Sequence, residues 1–166
     1  MLFYPGSSIG NFTPEQALGF LQSLHSACGT AAGSGLLIGV DLLKDAAELE
    51  AAYDDALGVT AAFDLNLLLH INRLVGSNFA VRDWRHLSRF NAEQSRVEMH
   101  LQARHAVRVQ WPGGERLFAP GETIHTENAC KWSVPGFEAL LLSAGFAQTR
   151  VWTDPAARFA VLWATA

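Results

Sequence analysis

"GLLIGVDLL", Gly35 to Leu43, is the stretch on which the fold turns. Its nearly unbroken apolar character is that of a buried strand in a parallel sheet. Upstream, "CGTAAGSG" (residues 28–35) is a glycine-bearing connection. Before it, Leu18, Leu21 and Leu24 keep helical spacing, with Thr13 as N-cap, Pro14 in the first turn and Glu15 beside it. The chain opens with the short apolar run Leu2–Tyr4, punctuated by Pro5-Gly6. Strand, helix and strand make a βαβ unit, whose crossover is right-handed. The glycines of residues 28–35 precede a strand, whereas a phosphate-cradling loop follows one, so they read as a plain connection.

Downstream, Lys44 to Val75 is helical in two segments parted near Gly58, with Asp45 placed to cap the first. "GSNF" (residues 76–79) breaks the pattern, and strand signals occupy the chain from Trp84 to Trp132. They include "SRVEMHLQARHAVRVQW", a "PGG" turn, "ERLF" and "ETIHTENACKW". Ser133 opens a helix running toward Gly145. "QTRVWTD" and "FAVLWAT" then read as two strands joined by a short turn. The expected fold class is therefore α/β. We expect a partial Rossmann-like methyltransferase sheet ending in an antiparallel hairpin, plus an inserted α+β substrate-binding domain. Residues 1–42 would form the partial core, 43–131 the insertion, and 132–166 the return to the core. That comparison is made at the level of fold, which does not by itself give function.

The 166 residues are 49% apolar and 17% charged, with a net charge of −4 and a sequence pI of about 5.8. No Lys/Arg cluster occurs, which argues against nucleic acid or an anionic membrane as partner. The run "LLIGV" is far shorter than a membrane span, and the start lacks the basic segment of a signal peptide, so a cytoplasmic setting is the default expectation. Cys28 and Cys130 are too few for a disulfide framework.

In open α/β sheets, ligands lie beyond the carboxyl ends of the strands, and Ser7 to Asn11 takes that position after the first strand. Asn11 offers one carbonyl acceptor and two amide donors, suited to a carboxylate or amine. On spacing alone the plainer reading, a turn residue in the run-up to the helix, prevails. His100 and His105 do not form a regular pair on one strand face, and His25, His70 and His86 are scattered, so no metal is expected. Ser7 and Ser8 do not sit in a nucleophile elbow.

Four blocks carry a resemblance: "FYPGSSIGNFTPEQA", "IGVDLLKDAAELEAAYDDALGVTAAFDLNLL", "FNAEQSRVEMHL" and "GETIHTENACKW". Together they resemble the histidine-specific, S-adenosylmethionine-dependent methyltransferases of ergothioneine biosynthesis. The resemblance implies trimethylation of the histidine α-amine. It also implies that Asn11 helps bind the backbone groups of the amino acid, and that the Tyr53 hydroxyl contacts its carboxylate. Met99 would lie beside the substrate side chain and Glu127 would hydrogen-bond the imidazole. Without the family, Tyr53 and Met99 read as core filler and Glu127 as an edge charge. Where the family typically has a serine lining the imidazole site, this chain has Ala129, which removes a hydroxyl and leaves the identity of the amino acid open.

The family carries its cofactor motifs ahead of the region matched here. The chain is therefore expected to be a C-terminal half. Alone it would neither bind S-adenosylmethionine tightly nor turn over. It would associate through an exposed strand edge, either with itself as a homo-oligomer or with a missing N-terminal half. Two competing readings are a stand-alone amino-acid-binding or regulatory module and a fragment that folds without function. The central expectation is that Asn11, Tyr53, Met99 and Glu127 line one amino-acid pocket.

Overall fold

The computed structural model describes all of residues 1–166. In chain order the elements are β1 (Leu2–Tyr4), α1 (Pro14–Cys28), β2 (Gly35–Asp41), α2 (Ala46–Tyr53), α3 (Val59–Val75), β3 (Trp84–Asn91), β4 (Arg96–Ala103), β5 (Val107–Trp111), β6 (Gly114–Phe118), β7 (Thr123–Cys130), α4 (Val134–Ser143), β8 (Gln148–Thr153) and β9 (Phe159–Thr165). Short 3-10 turns occupy Ser8–Asn11 and Val81–Asp83. The result is a mixed α/β chain. It divides into two compact units: Met1–Lys44 with Ala92–Arg96 and Asn128–Ala166, and Asp45–Asn91 with Val97–Glu127.

The first unit is built on a four-stranded sheet in the order β1-β2-β9-β8. β2 has a parallel neighbour on one side, with Tyr4 opposite Ile38, and an antiparallel one on the other, with Gly35 opposite Thr165. β8 lies outermost, antiparallel to β9, and β1 forms the opposite edge. Alternation sends Leu36, Ile38 and Val40 into the core together with Ala160, Leu162 and Ala164 of β9. Ala17 and Leu21 of α1, Phe137 and Leu141 of α4, and Phe146 belong to the same cluster. Each large aliphatic side chain buried there is worth about 1.5–3 kcal/mol.

The other side of β2 explains its glycines. A Cβ at Gly35 would sit 2.3 Å from the Ala164 carbonyl oxygen and 2.6 Å from the Trp163 ring. At Gly39 it would meet the Phe159 ring at 2.8 Å. The apolar run is thus interrupted by glycine where aromatic rings from β9 lie across the strand.

The helices begin where their caps dictate. In α1 the Thr13 hydroxyl accepts from Gln16 N–H while the Gln16 side chain accepts from Thr13 N–H, a reciprocal capping box. Asp45 accepts from the N–H groups of Ala47 and Glu48 at the start of α2. α3 starts after Gly58, whose φ of 68° lies in the left-handed region glycine tolerates. The Ser133 hydroxyl accepts from Gly136 N–H to open α4.

The second unit holds α2, α3, the β5–β6 hairpin and most of a sheet ordered β3-β4-β7. Along β4, Val97, Met99, Leu101 and Ala103 are buried while the residues between them are half-buried, as period-two alternation demands. Trp84 packs edge-on to Phe118 at 5.0 Å and beside Phe79 at 5.6 Å, over Leu68 of α3. No helix is long and apolar enough to cross a membrane.

Candidate functional site

In the second unit a polar network stands among apolar neighbours. Asp64 of α3 and His86 of β3 are both buried, and His86 Nδ1 lies 2.7 Å from Asp64 Oδ2. The other ring nitrogen, Nε2, is 2.8 Å from the carbonyl oxygen of Tyr53 at the end of α2. A carbonyl only accepts, so Nε2–H is the donor to Tyr53, and Nδ1 faces the Asp64 carboxylate. The Asp64 carboxylate in turn acts on Glu127. Burial first, and then the negative charge of Asp64, push the Glu127 carboxyl above its ordinary range. No hydrogen-bond donor of the chain reaches that carboxylate. A half-buried carboxylate without a donor retains its capacity to accept one from a ligand.

Three of the residues expected from the sequence fall in this unit and are linked through it. Tyr53 is tied to the Asp64–His86 pair by its main chain. Met99 is 5% exposed on the buried face of β4, and its carbonyl accepts the Thr126 hydroxyl at 3.0 Å, next to Glu127 in β7. The other two, Asn11 and Ala129, belong to the first unit. Asn11 is the exposed end of a 3-10 turn whose Ile9 and Gly10 are buried, Gly10 against the end of β7. A Cβ on Gly10 would lie 2.9 Å from the Cys130 carbonyl oxygen, and the Cys130 thiol donates to the Phe12 carbonyl at 3.3 Å. This close approach sets Asn11 beside the segment carrying Ala129, which is buried.

The first unit also contains a cavity of about 560 Å³ between the N-terminal turns of α1 and α4, the 93–96 turn and the 130–133 segment. None of the five expected residues lines it. At the carboxyl end of β2, Asp41 accepts from Lys44 at 2.6 Å and from Lys131 at 2.8 Å. Burial alone would raise this carboxyl, but the two ammonium groups outweigh it and hold it below the usual range. The Ser7 hydroxyl accepts from Asp41 N–H at 2.8 Å, which ties the loop after β1 to the end of β2.

The structure corrects the sequence reading of the histidines in one respect. His100 was weighed with His105, but its actual neighbour is His125 on the adjacent strand, with stacked rings 4.7 Å apart. Glu98 lies 3.2 Å from His100 Nε2, and ligating atoms of the three residues fall within 4.8 Å of one another. Tetrahedral zinc would need them about 3.3 Å apart with the ring lone pairs converging. Stacked rings do not converge, so the trio as placed is a hydrogen-bonded stack, half-buried at Glu98 and His100 and exposed at His125. Asp64 and His86 were not singled out as a pair by sequence reasoning. The available signal was a lone aspartate at an inward position of "AAFDLNLL", which demands a buried partner.

These features define a mixed α/β protein whose second unit keeps a half-buried carboxylate clear of any donor of its own. A sequence profile for the histidine-specific, SAM-dependent methyltransferases matches residues 1–166, and the chain belongs to that family. It is 42% identical over 161 residues to the histidine N-alpha-methyltransferase of Mycolicibacterium smegmatis and 41% identical over 161 residues to that of Mycobacterium tuberculosis. Both alignments cover 96% of this chain and 50% of the relative, so the chain spans about half their length. Ergothioneine biosynthesis protein 1 of Neurospora crassa is 32% identical over 155 residues, covering 92% of this chain and 17% of that one.

Proposed function

We propose that this chain supplies amino-acid-binding residues of a methyltransferase that acts on the α-amine of histidine or a close relative. The observation that carries the reading is Glu127: a carboxylate with raised proton affinity and no donor of its own, in a chain of the histidine-specific family. An imidazole N–H is the donor such a group lacks. With Ala129 contributing a methyl in place of a hydroxyl, the imidazole contact from this segment rests on Glu127. Tyr53 would meet the substrate carboxylate, Met99 would pack against the side chain, and Asn11 would bind backbone groups of the amino acid.

Transfer from a sulfonium requires an unprotonated amine held in line with the methyl group, so the task of these residues is positioning. The fold reading goes with this: β1, β2, β8 and β9 would be part of a Rossmann-like sheet, and residues 43–131 an inserted substrate-binding domain. The residues present do not by themselves fit an adenosyl group. The acid at the carboxyl end of β2, Asp41, is taken up by two lysines, and the Ser7 hydroxyl beside it is engaged with Asp41 N–H. Cofactor binding is therefore not assigned to residues of this chain.

The test is calorimetric titration of the chain with histidine, alongside Glu127→Gln, with methyl transfer from S-adenosylmethionine measured on the same samples. We expect histidine binding that weakens about tenfold or more in the variant, as loss of a charge-assisted hydrogen bond implies. Equal binding of histidine by both proteins would refute the assignment.

A further inference from the structure

The reading given above assigns the Asp64–His86 pair no contact with the substrate, yet the pair is among the most deeply enclosed polar groups of the second unit. The side chains of His86 and Asp64 are 1% and 3% exposed. Its placement points to a task. Tyr53 is the last residue of α2, and the final carbonyls of a helix have no partner within it. His86 fills that vacancy at the Tyr53 carbonyl, and a histidine is well suited to the negative end of a helix.

β3 grips the same helical turn at two more points. The Ser88 hydroxyl donates to the Glu50 carbonyl at 3.0 Å, and the Phe90 N–H donates to Glu50 Oε1 at 2.8 Å. The side chains of His86 and Ser88 lie on one face of the strand and meet the end of α2, and Phe90 adds its backbone N–H. Of the three, His86 is the one whose bond ends on Tyr53, and Asp64 of another helix fixes it from behind. Asp64 restricts the ring to one orientation, with Nε2–H aimed at the carbonyl, in the way an outer carboxylate orients a functional histidine.

We propose that His86, held by Asp64, is a positioning residue for the amino-acid site: its bond to the Tyr53 carbonyl fixes the backbone from which the Tyr53 hydroxyl reaches the substrate carboxylate. The inference rests on the role given to Tyr53 under the proposed function. It makes the effect of His86 specific to ligands that bear a carboxylate and dependent on the Tyr53 hydroxyl.

The experiment is a double-mutant cycle of His86→Phe and Tyr53→Phe, titrated with histidine and with histamine, which lacks the carboxylate. Folding of each variant is verified by circular dichroism, and where His86→Phe does not fold, His86→Gln takes its place. The expected result is a roughly tenfold loss of histidine affinity in the His86 variant, histamine affinity within about twofold of the unaltered chain, and no further loss when the His86 change is added to Tyr53→Phe. An equal loss for both ligands, or a full effect persisting in the Tyr53→Phe background, overturns the positioning role. The reading of Tyr53 is what fails, and the inference with it, if Tyr53→Phe leaves histidine affinity unchanged or the unaltered chain binds neither ligand.

Discussion

Asp41 Oδ2 and Lys131 Nζ lie 2.8 Å apart, with the lysine side chain only 2% exposed. One carboxylate at the end of β2 thus holds the buried ammonium that follows β7, and Lys44 shares it. Asp41→Asn deprives a buried cation of its carboxylate, which is far costlier than losing a surface pair. Since Asp41 is partly solvated, we expect a loss of about 2 kcal/mol, or about 5 °C in thermal midpoint for a chain of this size. Because its carboxyl is held below the ordinary 3.8, its contribution is complete above that value and disappears as pH falls through the lowered native one. Thermal melts across acid pH would check both points. An unchanged midpoint in Asp41→Asn would contradict the assignment.

Glu127 titrates in the opposite sense. Its raised proton affinity means that the folded chain holds the proton more tightly than the unfolded one does. The stability tied to neutral Glu127 is full below the ordinary value of 4.5 and is lost as pH climbs through the raised native value. Glu127→Gln should therefore melt higher than the unaltered chain at neutral pH, by a few degrees at most, with the gap closing on acidification. A lower midpoint for the variant at neutral pH would count against this.

His100 supplies a second pH signature. Burial first, with His125 and Arg89 adding to it against the pull of Glu98, lowers its affinity for a proton below the ordinary 6.5. The unfolded chain protonates first, so stability falls as pH drops from about 6.5 toward the lowered native value. Replacing His100 with Gln should flatten that part of the melting profile. An identical pH profile in the variant would show that the stack does not contribute.

Gly10→Ala tests the seat of Asn11. The added methyl would come 2.9 Å from the Cys130 carbonyl oxygen, so the 3-10 turn or the end of β7 must move. We expect a cost of about 1–3 kcal/mol, together with weaker amino-acid binding if Asn11 serves the ligand. Melting and titration on one sample read out both effects.

Much of the fold was legible in local chemistry. Caps at Thr13, Asp45 and Ser133 and the break at Gly58 set the helices where the structure has them. Alternation along residues 97–103 marked the buried side of β4. Long-range pairing was not legible. Nothing in the turn Ala92–Arg96 announces that it belongs with the first unit, and nothing near His100 points to His125. The roles proposed for Tyr53, Met99 and Glu127 come from family resemblance, because each alone looks like ordinary filler or an edge charge. The Asp64–His86 pair was missed because its members are remote in sequence and meet only once α3 packs on β3.

The pairing of Gly35 with Thr165 has a consequence for how the molecule matures. β2 leaves the ribosome well before β9, the strand that pairs along its longer side. Until then the β9-facing edge of β2 must wait unpaired, its Leu36–Ile38–Val40 ridge covered at first by α1 alone, while the segments around Trp84 and Phe118 can already settle. Closing so distant a pair is slow. Nascent chains stalled short of β9 would offer that edge to chaperones, and the first unit would be the last to gain protection from proteases.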